Sequence, residues 1–543
     1  MDPSQHLRPS APRRSLHRRA GFSLALVVIA AAALRLAGIH WGLPNALHPD
    51  FSYHPDEAYH VLWARWLVEG RLIPKHFMYG GTLHYTVLNA YWHYGRIFAA
   101  WLGGIDPLAD ALLFGRCCVV LFSLLSIAVT AAIGQRLFGP KTGLLAAAIL
   151  GVAPAHVFLA QNVRPDELAT LFAALIVYIG ATILRGDPIH DLRGFVLAGI
   201  LTGLAIALRA PLAAFGVAPF AAYLLRDRVL RAVPLARLAF AAGLGLLGGY
   251  ALGSPHSFLH GQALLDGLAI QRGYQTGAFP DAVGRGSGVY QYGWRMLREA
   301  LGPPFQLLAS AGLLLALFTR RREALYLVLA GTPYFAATTL VSWVVVRYTL
   351  PLTPLLALLA ATAVRELARA GRLGAGVALA WAALGFVFTT LGDLAFLNVE
   401  RSTNVRERVT AWIRETVPPG SALVSLWEYP GDYFYSPPLP SGYRAGAFVL
   451  DEKADPRTLE GVGIDYLVVA EPIYGNLDRL GAAHPKPGVR ALRPMLAPGG
   501  PFVLEREFSV PVTFAGIDFG AGFRSQDFMI INPGIRVYRR IGP

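Results

Sequence analysis

Residues 83–102 read LHYTVLNAYWHYGRIFAAWL. The stretch is long enough to cross a bilayer, for which about 20 residues suffice. It nevertheless carries His84, Tyr85, Asn89, Tyr91, Trp92, His93, Tyr94 and Arg96, and is far more polar than the apolar runs around it. Whether it crosses decides on which side of a membrane everything after it lies. Aromatic and polar side chains mixed in this way suit a helix lying in the interface. The runs His54-Pro55-Asp56-Glu57 and Arg164-Pro165-Asp166-Glu167 then face one compartment. If the stretch crossed, they would face opposite compartments.

The 543-residue chain is 54% hydrophobic and 15% charged, with a mean hydropathy of +0.45. Its repeated apolar runs of roughly 17–25 residues predict spanning helices. The fold class is a polytopic α-helical membrane protein. The net charge of +14 sits mostly in short caps between apolar runs, as the positive-inside bias requires. No basic, aromatic-interleaved soluble domain is present, so no nucleic-acid partner is expected. Cys117 and Cys118 are adjacent, too close for a relaxed disulfide and without metal-ligand spacing. They are expected to pack between helices. Arg8, Arg13, Arg14, Arg18 and Arg19 precede the apolar run Gly21–Ile39 without a convincing cleavage site. This predicts an uncleaved first helix with a cytoplasmic N-terminus.

From that helix the sides alternate. Residues 40–82 form an external loop. Ala111–Leu137 runs inward to Arg136 and Lys141, and Gly143–Leu159 returns outward. Leu168–Leu184, Gly194–Leu208, Pro211–Leu225 and Leu238–Leu252 alternate in turn. Residues 253–304 make a second external segment, whose Gly284, Gly286 and Gly288 argue against regular structure and for a lid or binding loop. Phe305–Phe318, Ala324–Leu340, Val344–Ala363 and Leu373–Leu391 complete about eleven spans. The basic loops at Arg185–Arg193, Arg226–Arg237, Arg320–Arg322 and Arg365–Arg372 all fall inside. The transmembrane domain is placed at 1–392. Residues 393–543 change character: Val405–Thr416 reads as an amphipathic helix stopped by Pro418-Pro419-Gly420, and Ala422–Leu426 and Tyr466–Ala470 read as strands. They predict a small extracytoplasmic α/β domain.

The chemistry follows from the acidic pairs. A carboxylate at a membrane surface can take a proton from an incoming hydroxyl, or share a divalent cation such as Mg or Mn with a second acid. Asp56, Glu57 and Asp166 are the expected catalytic acids, and Asp56 with Asp166 the candidate metal ligands. Against this stands plain helix capping, since Asp and Glu favour a helix's first turn; two Pro-Asp-Glu runs on one face weigh toward function. Arg347 lies near the external end of its helix, where a guanidinium can hold a lipid-linked phosphate, with Pro351 and Pro354 breaking the helix beside it. Arg35 and Arg116 are expected to anchor at the interface.

These residues resemble those of the GT-C glycosyltransferase superfamily. More narrowly, the chain is similar to bacterial family-39-type enzymes related to protein O-mannosyltransferases and lipid A aminoarabinose transferases. The resemblance rests on His54-Pro55-Asp56-Glu57-Ala58-Tyr59-His60, on Tyr79-Gly80-Gly81-Thr82-Leu83-His84-Tyr85, and on Leu137-Phe138-Gly139 leading to Arg164-Pro165-Asp166-Glu167. Arg347-Tyr348 with Pro351 and Pro354, and Ala411-Trp412-Ile413 before Pro418, also match. It implies an inverting transferase in the bacterial cytoplasmic membrane. Such an enzyme moves a sugar from a polyprenyl-phosphate donor to a lipid, glycan or protein acceptor on the extracytoplasmic face. Asp56 would be the base, Asp166 would position acceptor or metal, and Arg347 and Tyr348 would contact the donor phosphate. Many relatives have Lys-Pro-Pro-Leu where this chain has Tyr79-Gly80-Gly81-Thr82-Leu83, which leaves Lys75 as the nearby phosphate contact. His54, Tyr59, His84, Arg164, Glu167 and His256 complete the expected substrate contacts.

A lipid-linked glycan flippase would need acids near the midplane and often internal repeats; neither is visible. An oligosaccharide ligase differs only in donor length and acceptor. A binding module on a membrane anchor leaves both acidic pairs without a role.

Overall fold

The computed structural model describes residues 12–102, 107–186, 191–227, 233–277, 279–280, 283–429, 432–451, 454–461 and 463–541. The N-terminal basic cluster and the loop residues His190, Arg228 and Arg231 fall on residues or side chains outside that set. The first half runs α1 (Pro12–Ala37), α2 (Pro55–Val68), α3 (Leu83–Leu102), α4 (Pro107–Phe138), α5 (Pro140–Gly151), α6 (Pro154–Phe158), α7 (Asp166–Arg185), α8 (Asp191–Leu208), α9 (Ala218–Leu225) and α10 (Leu235–Gly253). There follow α11 (His256–Leu259), α12 (Gly261–Thr276), α13 (Gly288–Tyr290), α14 (Leu297–Leu301), α15 (Pro303–Thr319), α16 (Arg322–Thr339), α17 (Thr353–Arg369) and α18 (Arg372–Arg401).

Among the described residues, six helices are long and apolar enough to cross a bilayer, in α4, α7, α8, α10, α17 and α18; the bent pair α5–α6 makes a seventh. Shorter apolar helices cover Gly21–Ala37, Ala210–Leu225 and Pro303–Thr319. The run Gly143–Leu159, expected as one span, is broken by 66°. Pro154 has no N–H to continue the ladder and starts a new helix. The break carries the chain sideways and buries Gln161, Asn162 and Arg164 at the head of α7.

The side-counting expectation has a structural counterpart. At one end of the bundle the basic loops meet one another: Arg185 pairs with Glu323 at 2.6 Å, Arg321 with Glu366 at 2.9 Å, and Arg226 with Asp191 at 2.8 Å. The heads of α2 and α7 and the 3-10 turn Val346–Leu352 gather at the other end. The stretch 83–102 is helical, and its sequence is richer in polar and aromatic residues than those of the spanning helices. Tyr85, Leu88 and Tyr91 pack with Ala111 and Leu112 near the start of α4.

Two helices approach unusually closely. A Cβ at Gly199, Gly203, Gly245 or Gly249 would collide with the facing backbone of α8 or α10. Small residues four apart are what let membrane helices pack backbone to backbone. Cys117 is exposed and Cys118 half-buried, both free; Cys117 therefore lies on the outer surface of α4 rather than between helices. The segment 253–304, expected to lack regular structure, forms α11 to α14. Gly267 seats α12 on the backbone of Pro74 and Phe77, where a side chain would not fit.

α18 continues past residue 392 to Arg401 and leads into α19 (Val405–Thr416). The C-terminal region then adds β1 (Ala422–Trp427), β2 (Arg444–Val449), α20 (Thr458–Gly461), β3 (Tyr466–Ala470), α21 (Glu471–Leu480), α22 (Pro487–Leu496), β4 (Phe502–Phe508), β5 (Thr513–Phe514), β6 (Ile517–Asp518), α23 (Gln526–Ile531) and β7 (Ile535–Arg540). The main sheet has the order β2-β1-β3-β7-β4. β1 is parallel to β2 and β3, with Leu423 opposite Tyr466, and β7 is antiparallel to β3 and β4. The central β3 is buried on both faces. One face packs on α21 and α22 through Ile473, Leu477, Val489 and Leu492, the other on α19 through Val409, Trp412 and Ile413. The β5–β6 hairpin leads to Phe519, which lies on Phe388 of α18 at 5.4 Å.

Candidate active site

The site is built where four segments end. α2 begins with the sequence's own stop-and-start chemistry: His54 caps it, its Nδ1 accepting the Asp56 N–H at 3.3 Å, and Pro55 takes the first helical position. Asp56 and Glu57 therefore both sit in the first turn, about 100° apart around the axis, and point different ways. Asp56 turns to the surface, with its side chain 34% exposed and an oxygen 3.2 Å from Arg164. Glu57 turns inward and is fully buried. Arg116 grips it with Nε at 2.8 Å and a terminal nitrogen at 2.6 Å. The Val163 N–H donates to it at 2.7 Å and the Ser52 hydroxyl at 2.9 Å.

Glu57, expected as a catalytic acid, is thus a structural anchor. Its oxygens are committed to protein donors in a fully buried position. Burial works against its charge, but Arg116 outweighs it and holds the carboxyl below its ordinary range. Arg116 itself is not an interface anchor; it is buried and also donates to the carbonyls of Ile39 and Trp41 at 2.6 and 2.8 Å.

The second run divides in the same way. Arg164, extended before α7, donates from Nε to Asp166 at 3.2 Å and reaches Asp56 with a terminal nitrogen, so one guanidinium joins both aspartates. Asp166 also pairs with Arg209. Glu167, expected as a substrate contact, faces the bundle interior instead, with an oxygen 3.4 Å from His156 Nε2. That interior also encloses Arg35, expected at the interface. It donates to Ser123 at 2.7 Å and to the Gly151 carbonyl at 2.9 Å, and lies 2.9 Å from His156 Nδ1. A carboxylate or guanidinium in the apolar bundle is costly unless paired; Glu57 meets that cost with Arg116, while Glu167 lies beside the His156 imidazole with neither oxygen hydrogen-bonded.

Arg347 lies in the turn Val346–Leu352, and Tyr348 follows it. The Arg347 guanidinium stacks over Trp343 at 4.6 Å and Tyr348 at 5.6 Å. It donates to Asp527 at 2.5 Å, while its backbone N–H donates to the other Asp527 oxygen at 3.1 Å. Arg209 lies between the rings of Tyr79 and Tyr348, at 5.8 and 4.8 Å. The result is a compact cluster of three guanidiniums (Arg164, Arg209, Arg347) and three carboxylates (Asp56, Asp166, Asp527). Burial opposes the charge on Asp56, yet Arg164, then His54 and Arg347, hold its carboxyl well below the usual range. His54, buried beside Arg164, is pushed down to about 4 and stays neutral at ordinary pH.

Asp56, Asp166, Arg164, Arg347, Tyr348 and His54 are brought together as the sequence suggests. His84 lies a layer behind, buried edge-on to His60 at 4.7 Å. Tyr59 is 42% exposed and lies tilted against Trp63 at 5.6 Å. Lys75, expected at the donor phosphate, is exposed with its ammonium over the Trp63 ring at 5.7 Å rather than among the cluster's carboxylates. His256 stacks with His260 at 6.3 Å on the 253–304 segment. Two members escape a reading by eye. Arg209 carries a signal, a lone charge ending an apolar helix on the same side as Asp166. Asp527 carries none: it is an ordinary acid in a Ser-Gln-Asp run nearly 200 residues from Arg347.

A divalent cation does not fit Asp56 and Asp166. Each already faces a guanidinium, and no group of three or more His, Cys, Asp or Glu side chains able to hold a metal occurs among the described residues.

Residues 110–252 match the family model for dolichyl-phosphate-mannose-protein mannosyltransferases. That stretch includes Arg164, Asp166 and Arg209. The apo structure of ArnT from Cupriavidus metallidurans is similar in fold, with a TM-score of 0.50 at 13% identity over 96% of this chain and 98% of that one. That likeness is one of fold. The undecaprenyl-phosphate complex of the same ArnT aligns at 14% identity over 95% and 98% with a TM-score of 0.49. The oligosaccharyltransferase of Archaeoglobus fulgidus aligns at 13% over 83% and 69% with a TM-score of 0.48. No curated protein sequence matches the chain at a significant level. The aspartate–arginine cluster lies at one end of the helical bundle, against the C-terminal region that supplies Asp527.

Proposed function

We propose that this protein transfers a sugar from a polyprenyl-phosphate donor to a hydroxyl-bearing acceptor, with inversion, on the extracytoplasmic face of a bacterial cytoplasmic membrane. The observation that carries the reading is Asp56. It is the one carboxylate of the cluster with substantial exposure, and the guanidinium it touches is shared with Asp166. The donor named in the matched family, a dolichyl phosphate, supports a lipid phosphate held by Arg164, Arg209 and Arg347.

The reaction breaks the bond between the anomeric carbon and the phosphate oxygen, whose electron pair stays on the phosphate. The acceptor oxygen forms the new bond from the opposite face and gives its proton to Asp56. The leaving phosphate needs its growing charge matched more than it needs a proton, and preorganised guanidiniums supply that. A tightly paired Asp56 is a weak base. A bound phosphate competes for Arg164, loosens its hold on Asp56 and strengthens that base when the donor is in place. Asp166 keeps Arg164 and Arg209 oriented. A flippase is less well supported, since the cluster sits at helix ends rather than at mid-depth.

The test is transfer from a lipid-linked sugar in detergent by Asp56→Asn. Loss of the base should lower turnover by about 10²–10⁴ with lipid-phosphate binding retained. Unchanged turnover refutes the assignment.

A further inference from the structure

The C-terminal region contributes a side chain to the cluster. Asp527 on α23 is buried. It receives both the guanidinium and the backbone N–H of Arg347, and one oxygen lies 3.6 Å from Arg164. The helix that carries it is tied to the membrane domain by its neighbours. The Ser525 N–H donates to Glu299 at 2.7 Å and Gln526 accepts from the Trp343 indole at 2.5 Å, while within the C-terminal region the Ile530 carbonyl accepts from Arg406 of α19 at 2.7 Å. Contacts on both sides of residue 527 make the carboxylate a fixed part of the site and not a mobile plug.

We propose that Asp527 is a positioning and charge-balancing residue of the transfer site: it orients Arg347 and keeps the cluster neutral, so that the lipid phosphate can leave after transfer. This rests on the donor reading above. With Asp527 the cluster has three positive and three negative groups. A sugar phosphodiester brings one negative charge. Transfer converts it to a phosphate monoester carrying close to a second charge at neutral pH. Without Asp527 the cluster would carry one net positive charge and hold that product more tightly. A carboxylate competing for Arg347 and Arg164 limits this hold, and its double grip on Arg347 keeps the guanidinium stacked between Trp343 and Tyr348.

The test measures binding of polyprenyl monophosphate to the full-length protein in detergent, with unphosphorylated polyprenol as the control. Asp527→Asn keeps the shape and can still accept from the Arg347 N–H, but makes the cluster one unit more positive. It should bind the phosphate about tenfold more tightly. Asp527→Glu, which keeps the charge, should stay within about twofold of wild type. Asp527→Ser gives the same readout as the asparagine variant if the latter does not fold. Unchanged or weaker binding by the neutral variants overturns the inference while leaving the donor reading intact. If the wild-type protein itself fails to distinguish polyprenyl phosphate from polyprenol, the donor reading falls, and this inference with it.

Discussion

Replacing Glu57 by glutamine should remove the folded protein and not merely its activity. The substitution keeps the volume but leaves the buried Arg116 guanidinium facing an uncharged amide. Each Glu57 oxygen accepts from Arg116, so in either orientation the amide NH2 faces an Arg116 donor. Breaking a buried ion pair from one side costs about 3–5 kcal/mol, a shift of roughly a hundredfold or more in the folded population. The measurement is the fraction of detergent-extracted protein that elutes as a single species, followed as a function of temperature. Asp56→Asn serves beside it: its partly exposed side chain predicts near-normal folding. Glu57→Met combined with Arg116→Met should recover much of the loss, because an apolar pair needs no buried charge matched. A Glu57→Gln protein that folds like wild type but has lost transfer would show that this carboxylate does chemistry, and the structural role assigned to it would be wrong.

Two further outcomes are expected. Glu299, buried against Ser525, has its carboxyl pushed up to about 7, chiefly by burial. The folded state therefore holds this proton more tightly than the unfolded one. The resulting stability is full below about pH 4.5 and is lost as pH rises through about 7, an effect of up to about 3 kcal/mol. Thermal stability of the full chain should fall from pH 5 to pH 8, and Glu299→Gln should lose that component; an identical pH dependence in both proteins refutes the assignment. Arg209→Lys keeps the charge but not the planar fork between Tyr79 and Tyr348. Lipid-phosphate binding should weaken by about tenfold, measured by titration, and full affinity would take Arg209 out of the donor site.

Helix-forming runs, their lengths and the sides on which charge gathers follow from local chemistry, so the helical class and the face shared by Asp56 and Asp166 were legible without coordinates. The start of α19 at Val405 and the whole of β3 were legible too, because an amphipathic period and a β-branched run are local. The division of labour within each Pro-Asp-Glu run was not. Asp56 and Glu57 are chemically similar neighbours at the head of one helix. Only the placement of Arg116 and Arg164 makes one an anchor and leaves the other open.

Composition and periodicity thus determined a bundle of apolar helices with acids at its ends, since apolar runs of about 20 residues satisfy their backbone in lipid as helices and charge is costly inside them. Tertiary structure alone decided which acids meet which arginines. That outcome depends on contacts between residues far apart in the chain, such as Arg347 with Asp527, and the free energy of such a pair has no local trace for a sequence to carry.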